Sequence, residues 1–518
     1  MMHSARKWFA VLLVAGLGAV SPARAAAADY HVGPDRAYKS VGAVPWYRLE
    51  PGDTVFIHWR PTPYFEKFLI STRGTTDKWI RIIGIAGPGG ERPVISGRNA
   101  TTSANMHYRW PAPSGSSAIQ HLGVIQIAAG AGEDRELPGY IEIANLRVQE
   151  GFKSNTFTAE NGTRATYDGF AACIYARSVQ HLVVRNNVLT DCGLGFYNWT
   201  GSGTAWWDGL QMDTILRGNY FYNNGNPGSY TEHQSYTESD GVVYEGNRFG
   251  AMRPGALGSQ LKDRSAGTVI RYNFIEASPS GWMIDLVEPE NGYAALGRKA
   301  AYQQTFLYGN VLISSGATIN GPNLVHWNED HQQSVGRAVA PGGRLFFYHN
   351  TVLVLANQAD FHSFHIFNTT WGGYDCPGAS RAGVIDARNN IFAVLPRSPG
   401  ATTPLMQFAY CRDTNLAFGR NWVSPGWVSG TTGTLSGTGS FVSPRGNSPG
   451  FVSSTDLHLT SGASAARIGG ALAVEVAKNS LGLSLVPSLQ YQEQQGVVPR
   501  TTSGAGADAG AFELRPRR

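Results

Sequence analysis

Apolar and polar residues alternate along this chain in short runs, and the runs are broken by turns that carry an asparagine. The pattern recurs in IEIANLRV (Asn145), LVVRNNVL (Asn187), TILRGNYF (Asn219), VVYEGNRF (Asn247), TVIRYNFI (Asn273), TFLYGNVL (Asn310), LFFYHNTV (Asn350) and VIDARNNIF (Asn390), with AFGRNWV (Asn421) as a ninth. Period-two alternation of this kind predicts half-buried strands, and long apolar periods of helical spacing are hard to find. Successive asparagines stand 42, 32, 28, 26, 37, 40, 40 and 31 residues apart. A repeat of about that length predicts a solenoid, and its unequal intervals predict loops of different size on one face.

Asparagine suits such a turn for two reasons. It tolerates a left-handed backbone, and its amide both donates and accepts, so asparagines stacked in successive coils can bond to one another. Flanking apolar pairs such as Val183/Val184 and Val188/Leu189 supply inward strand residues. The expectation is an all-β, right-handed parallel β-helix; a sandwich or propeller would show more regular, antiparallel repeats. The segment DYHVGPDRAYKSVGAVPWYRLEPGDTVFIHW reads as strand, short helix and strand, a cap over the first open edge. Residues 26–423 are assigned to the capped helix. Residues 424–518, rich in Gly, Ser and Thr, are assigned to the final turns and an irregular tail packed back along it.

Residues 1–25 read as a signal peptide, with Arg6 and Lys7 before the apolar run Trp8 to Val20 and Ala23-Arg24-Ala25 as the cleavage site. No later stretch is long and apolar enough for a membrane span, so a soluble periplasmic or secreted protein, expected to be monomeric, follows. The chain holds 42 basic and 37 acidic residues, a net of +5, which falls to +2 without the leader. That near-neutral balance argues against nucleic-acid binding and leaves room for a local positive cleft. Four cysteines suit an oxidising compartment. Proximity favours Cys173 with Cys192 and Cys376 with Cys411, although spacing permits three connectivities.

The opening YHVGP…RLEPGDTVFIH…PYFEKFLISTRGTTDKWIRIIGIAGPGGERPVISG and the ending SPGFVSSTDLHLTSGASAA…GADAGAFE resemble pectate-lyase-like right-handed β-helix proteins, as does the asparagine ladder between them. The segments EHQSYTESDGVVYEGNRF, GSQLKDRSAGTVIRYNFIE and GWMIDLVE resemble bacterial polysaccharide-degrading members of that group. The resemblance implies a polysaccharide substrate and an enzyme that is a lyase, a hydrolase or a uronan C5-epimerase. A Lys and an Arg on the strand face are similar to those of the chondroitinase B and alginate lyase group, where a Lys is the base and an Arg on the next coil assists. Here Lys262 and Arg264 share one coil.

Counting back from the asparagines aligns the coils. Asp208, Tyr236 and Lys262 each stand eleven residues before Asn219, Asn247 and Asn273. Later coils align by inward and outward alternation, with Asp285, His326, His365 and Gln407 outward, so the expected stripe is Asp208, Tyr236, Lys262, Asp285, His326, His365, Gln407. Elimination at a uronate requires a neutralised carboxylate, a base and a proton donor to the leaving oxygen. Lys262 is the expected base, its pKa lowered by Arg264, which also suits a carboxylate; His233 and Tyr236 are candidate acid or base groups. Trp206 and Trp207 are expected to stack on sugars, while Trp199, Trp282 and Trp327 fit platform or core equally. Glu232, Glu238 and Asp240 are the only candidates for a metal, with Ca²⁺ the ion their oxygens would suit.

Two rival classes stay open. An inverting hydrolase would need two separated carboxylates, for which Asp208, Asp213 and Asp285 are candidates. A non-catalytic carbohydrate-binding envelope protein would keep the aromatics and not need Lys262 or Arg264.

Overall fold

The computed structural model describes residues 27–518 apart from 103–118, 131–135, 202, 204–207, 277–280, 316–321, 331–342, 371–375, 377–382, 412, 432, 443–447, 494–495, 503–505 and 515–518. The predicted leader and the Trp206/Trp207 pair lie outside the described residues.

Alternating sequence becomes coiled sheet because each short strand can bury only one face. Ala172–Arg177, Gln180–Arg185 and Val188–Thr190 form one coil, and Leu194–Trp199, Met212–Arg217 and Tyr220–Tyr222 stack on it in parallel. Repetition yields sheets of 13, 13 and 10 strands. Neighbours pair in parallel throughout the three sheets, apart from Thr156–Thr158 with Arg164–Thr166. This is a right-handed parallel β-helix, the hand that parallel crossovers take. Inward residues of successive coils stack: Ile141 and Ile143, then Leu182 and Val184, then Leu216, then Val242 and Tyr244 are all buried. A buried Leu or Ile is worth roughly 1.5–3 kcal/mol, and each coil gains it only from its neighbours.

The asparagine ladder runs from Asn187 through Asn219, Asn247, Asn273, Asn310, Asn350 and Asn390 to Asn421. Each Nδ2 donates to the next Oδ1 at 2.9–3.3 Å. Two details differ from expectation. Asn145 pairs in register with Asn186, so the position in the first coil that corresponds to the ladder is Leu146, whose N–H donates to Asn187 Oδ1. The left-handed residue is the one before the ladder asparagine in seven of the eight rungs, at Asn186, Gly218, Gly246, Tyr272, Gly309, His349 and Asn389. The ladder amide is thus selected for its two-way hydrogen bonding and not for its backbone.

The N-terminal segment forms strands Asp29–Val32 and Thr54–His58 around two 3₁₀ turns, with Trp46 stacked on Phe68 at 4.2 Å over the end of the core. The C-terminal segment folds back along the helix. Tyr348 donates to Leu485 O, Ala511 N–H donates to Thr351 Oγ1, and Arg500 pairs with Glu513 at 2.6 Å in a buried contact. Disulfides join Cys173 to Cys192 and Cys376 to Cys411.

Candidate active site

The outer face of the second sheet carries a cleft of about 970 Å³. Strand register builds its floor. Tyr197 pairs with Tyr236, Tyr236 with Lys262, Lys262 with Asp285, Asp285 with His326 and His326 with Asn368. Leu261, Ile284, Leu286, Val325 and Trp327 point the other way into the core. A second line of residues stands three positions earlier in each strand: His233, Ser259, Trp282, Asn323, His365 and Gln407, all but Gln407 lining the cleft.

Four members of the expected stripe, Tyr236, Lys262, Asp285 and His326, come together as one column. The other three do not join it. Asp208 follows the strand whose Tyr197 partners Tyr236, and it is bound by Arg177 at 2.7 Å. His365 pairs with Asn323 and Gln407, so both His365 and Gln407 belong to the second line; Asn368 holds the place expected of His365. Eleven-residue counting fails at Asp208 because a loop separates the strand Leu194–Trp199 from the next strand, Met212–Arg217.

Lys262 and Arg264 sit in a lattice of carboxylates that sequence reasoning missed. Lys262 Nζ donates to Asp285 Oδ2 at 2.8 Å and to Asp330 Oδ2 at 2.5 Å. Arg264 donates from Nε to Tyr236 Oη at 2.6 Å, from Nη1 to Glu288 O at 2.7 Å and from Nη2 to Asp330 Oδ2 at 2.9 Å. Glu288 Oε2 accepts the Asp330 N–H at 2.8 Å, and Glu290 lies 3.7 Å from Arg264. The available signal was the pair of acid-rich turns, VEPEN and WNED, which close the strands of Asp285 and His326.

These contacts set the charges. Burial pulls the Lys262 ammonium down, but Asp285 and Asp330 outweigh it, and the net direction is up. Arg264 does lower Lys262, as expected, but the two carboxylates outweigh it and hold this lysine charged. Burial pushes Tyr236 up to about 12 against the pull of Arg264. Burial likewise lowers His233 to about 3. His233 Nδ1 faces the Ser259 N–H at 2.8 Å, and a backbone N–H can only donate. The neutral ring therefore carries its proton on Nε2, so His233 is a hydrogen-bond donor and not a base in this arrangement. Burial opposes charge on His326, yet its bond to Asp285 raises it overall, while burial likewise fails to keep Asp285 from being lowered by Lys262 and His326. Burial also lowers His365, leaving it neutral.

The aromatic expectations divide. Trp199 and Trp282 line the cleft, Trp282 stacked on His326 at 5.1 Å, whereas Trp327 is buried in the core.

The expected metal ligands do not converge. Glu238 accepts from the N–H groups of Glu290 and Gly292, Asp240 pairs with Lys299 at 2.5 Å, and Glu232 accepts from Thr231. Among the described residues, Asp285, His326 and Asp330 do bring ligand atoms within 4.8 Å of one another. That set does not fit calcium, which takes six to eight oxygens. His326 directs both nitrogens at acceptors, and the Lys262 ammonium already occupies both aspartates.

No protein-family model matches the sequence, and no curated protein matches it. Several solved structures are similar to it at low identity. An alginate lyase from Paenibacillus sp. str. FPU-7 is 14% identical over 71% of this chain and 94% of its own, at a TM-score of 0.41. A pectate lyase is 10% identical over 95% and 97%, at 0.42. A mannuronic acid specific polysaccharide family 6 lyase from human gut microbiota is 14% identical over 77% and 86%, at 0.37. The stacked parallel sheets make this a right-handed parallel β-helix. Within that fold the cleft is one arrangement among many, because chemistry is carried by sites and not by the scaffold.

Proposed function

We propose that the chain is an exported polysaccharide lyase that cuts an acidic, uronate-containing glycan by β-elimination. Residues 1–25 are its removable leader, 26–423 the capped helix and 424–518 the tail. It works as a monomer in the periplasm or outside the cell. The observation that carries this reading is the 2.6 Å contact from Arg264 Nε to Tyr236 Oη beside the charged Lys262.

Lys262 and Arg264 supply the positive charge that a uronate carboxylate needs as its neighbouring carbon becomes acidic. Arg264 also steadies negative charge on the Tyr236 oxygen. As phenolate, Tyr236 takes the proton from the carbon beside the carboxyl group. The bond to the leaving oxygen then breaks, a carbon–carbon double bond forms, and Tyr236 returns the proton to that oxygen. Tyr236 gives up its phenol proton to solvent beforehand, and Glu290 Oε2, 3.4 Å from Tyr236 Oη, accepts the hydrogen bond of the protonated form. His233 donates its Nε2–H toward the sugar. The base expected at Lys262 thus moves to Tyr236, because the ammonium is held charged.

Hydrolysis finds less support. It requires a carboxylic acid that stays protonated, and net interactions lower both Asp285 and Asp330 despite their burial. Asp208 is committed to Arg177, and Asp213 faces His181 at 2.9 Å on the first sheet. The test is a panel of uronate polysaccharides followed by short-ultraviolet absorbance of the unsaturated product. New absorbance supports the lyase. New reducing ends without absorbance support hydrolysis, altered uronate stereochemistry without cleavage supports epimerisation, and retained binding alone supports a non-catalytic protein.

A further inference from the structure

The reacting groups stand close to one end of the cleft. Tyr236 and Lys262 have the Tyr197 strand on one side, whereas on the other side the floor continues through the strands of Asp285, His326, His365 and Gln407. Four coil steps separate Lys262 from Gln407, about 19 Å at ~4.8 Å per coil. A pyranose unit is about as long as one coil is tall, ~5 Å.

At the far end the cleft presents groups that suit a sugar. Tyr410 is 40% exposed, stands edge-on to His365 at 5.0 Å and lies next to Cys411, whose disulfide to Cys376 ties down its turn. Gln407 stands beside His365 in strand register. Burial keeps His365 neutral, so this end offers a ring face and uncharged hydrogen-bonding groups, unlike the ionic centre around Lys262.

We propose that Tyr410 and His365, with Gln407 behind them on the same strand as Tyr410's turn, form a distal sugar-binding subsite, about four sugar units from the reacting atoms, which makes the protein favour chains of six or more units. Tyr410 stacks on a pyranose face while His365 bonds its hydroxyls and Gln407 positions His365. The proposal rests on the cleft being the lyase site. The subsite is a specificity determinant and takes no part in proton transfer.

The experiment measures kcat/KM on uronate oligomers of three to eight units for the wild type, Tyr410→Ala and Tyr410→Phe. The wild type is expected to prefer hexamer over trimer by about three- to tenfold, the order that one aromatic contact can supply. Tyr410→Ala is expected to bring that ratio near one, and Tyr410→Phe, which keeps the ring, to preserve it. A wild-type ratio near one, or a ratio unchanged in Tyr410→Ala, overturns the subsite. If no oligomer yields unsaturated product, the lyase reading fails by itself. Calorimetric titration of hexamer and trimer against the same three proteins then decides the subsite, with the same ratios expected in the association constants.

Discussion

His326 Nδ1 lies 2.8 Å from Asp285 Oδ1, and the other ring nitrogen lies 3.2 Å from the carbonyl oxygen of Thr370. Both partners can only accept, so both nitrogens carry protons and the ring is an imidazolium. Asp285 is thereby clamped between two cations, His326 and Lys262, in a place only 3% exposed.

Replacing His326 by Leu removes one of those cations and leaves Asp285 buried with Lys262 alone. Breaking one side of a buried charge cluster costs about 3–5 kcal/mol, and urea denaturation is expected to show a loss of that order. The double variant His326→Leu/Asp285→Leu is expected to recover part of it. The pH dependence has a definite sign. The folded pKa of His326 is raised above its ordinary value, so its stabilising contribution is complete below the unfolded pKa near 6.5 and disappears as pH climbs through the folded value. A His326→Leu protein that matches the wild type in stability at every pH contradicts the imidazolium.

Tyr236→Phe keeps the ring packed against Tyr197 and His233 and deletes only the oxygen that Arg264 touches. Loss of a proton-transfer group typically costs about 10²–10⁴ in rate, and kcat is expected to fall within that range with the melting temperature little changed. Because burial places the Tyr236 hydroxyl near 12, the phenolate fraction grows tenfold for each pH unit below that value. Wild-type kcat should therefore climb with pH across the neutral range, and Tyr236→Phe should flatten the profile. A bell centred near pH 6 would instead point to a carboxylic acid or histidine.

The coil architecture was legible because a ladder rung demands one residue type at one place. From Asn187 to Asn421 every rung is an asparagine whose oxygen and nitrogen are both used. The column Tyr236, Lys262 and Asp285 was legible because those coils are short and keep the spacing to the next rung or the inward alternation. Registration at His365 was not legible. Outward residues recur every second position in any strand, and the variable loops beyond His326 and His365 remove the fixed count to Asn350 and Asn390. Asp330 and Glu288 were missed because they leave the strand in turns, where alternation has no meaning. The charge state of Lys262 depends on Asp330 as well as Asp285, so its pKa was misjudged for the same reason.

On the proposed lyase reading, Asp330 is a cleft carboxylate that an acidic substrate displaces or outcompetes. Its side chain is 29% exposed, and it takes hydrogen bonds from both Lys262 and Arg264. Asp330→Asn removes a negative charge from the carboxylate's landing site, while Lys262 keeps Asp285 and Arg264 keeps Glu288. Partly exposed charge contacts are worth about 1 kcal/mol or less, so KM for an acidic glycan is expected to fall by about three- to fivefold. The gain should shrink at high salt, which screens the exposed part of the interaction. An unchanged or higher KM at low ionic strength speaks against Lys262 and Arg264 as the carboxylate's partners.

Asn247 sits mid-ladder, fully buried, and tests how much the coils depend on one amide. Its Nδ2 donates to Leu216 O at 2.8 Å and to Asn273 Oδ1 at 3.0 Å, while its Oδ1 accepts from the backbone and side chain of Asn219 at 2.9 and 3.1 Å. Alanine deletes all four bonds and strands the Asn219 N–H and the Leu216 carbonyl away from water. An unsatisfied buried group costs about 1–3 kcal/mol, so Asn247→Ala is expected to lower stability by roughly 3 kcal/mol or more. Aspartate should be worse. It keeps the acceptor but loses both donations, and it sets a carboxylate against the oxygens of Leu216 and Asn273. Among the described residues Asn421 is the last rung, and its Nδ2 donates to the carbonyl oxygens of Ala387 and Gly419 and not to a further amide, so in a coupled row the same changes there should cost less. Thermal unfolding of Asn247→Ala, Asn247→Asp and Asn421→Ala orders the three. Equal losses at the two positions would show that the amides act singly and not as a coupled row.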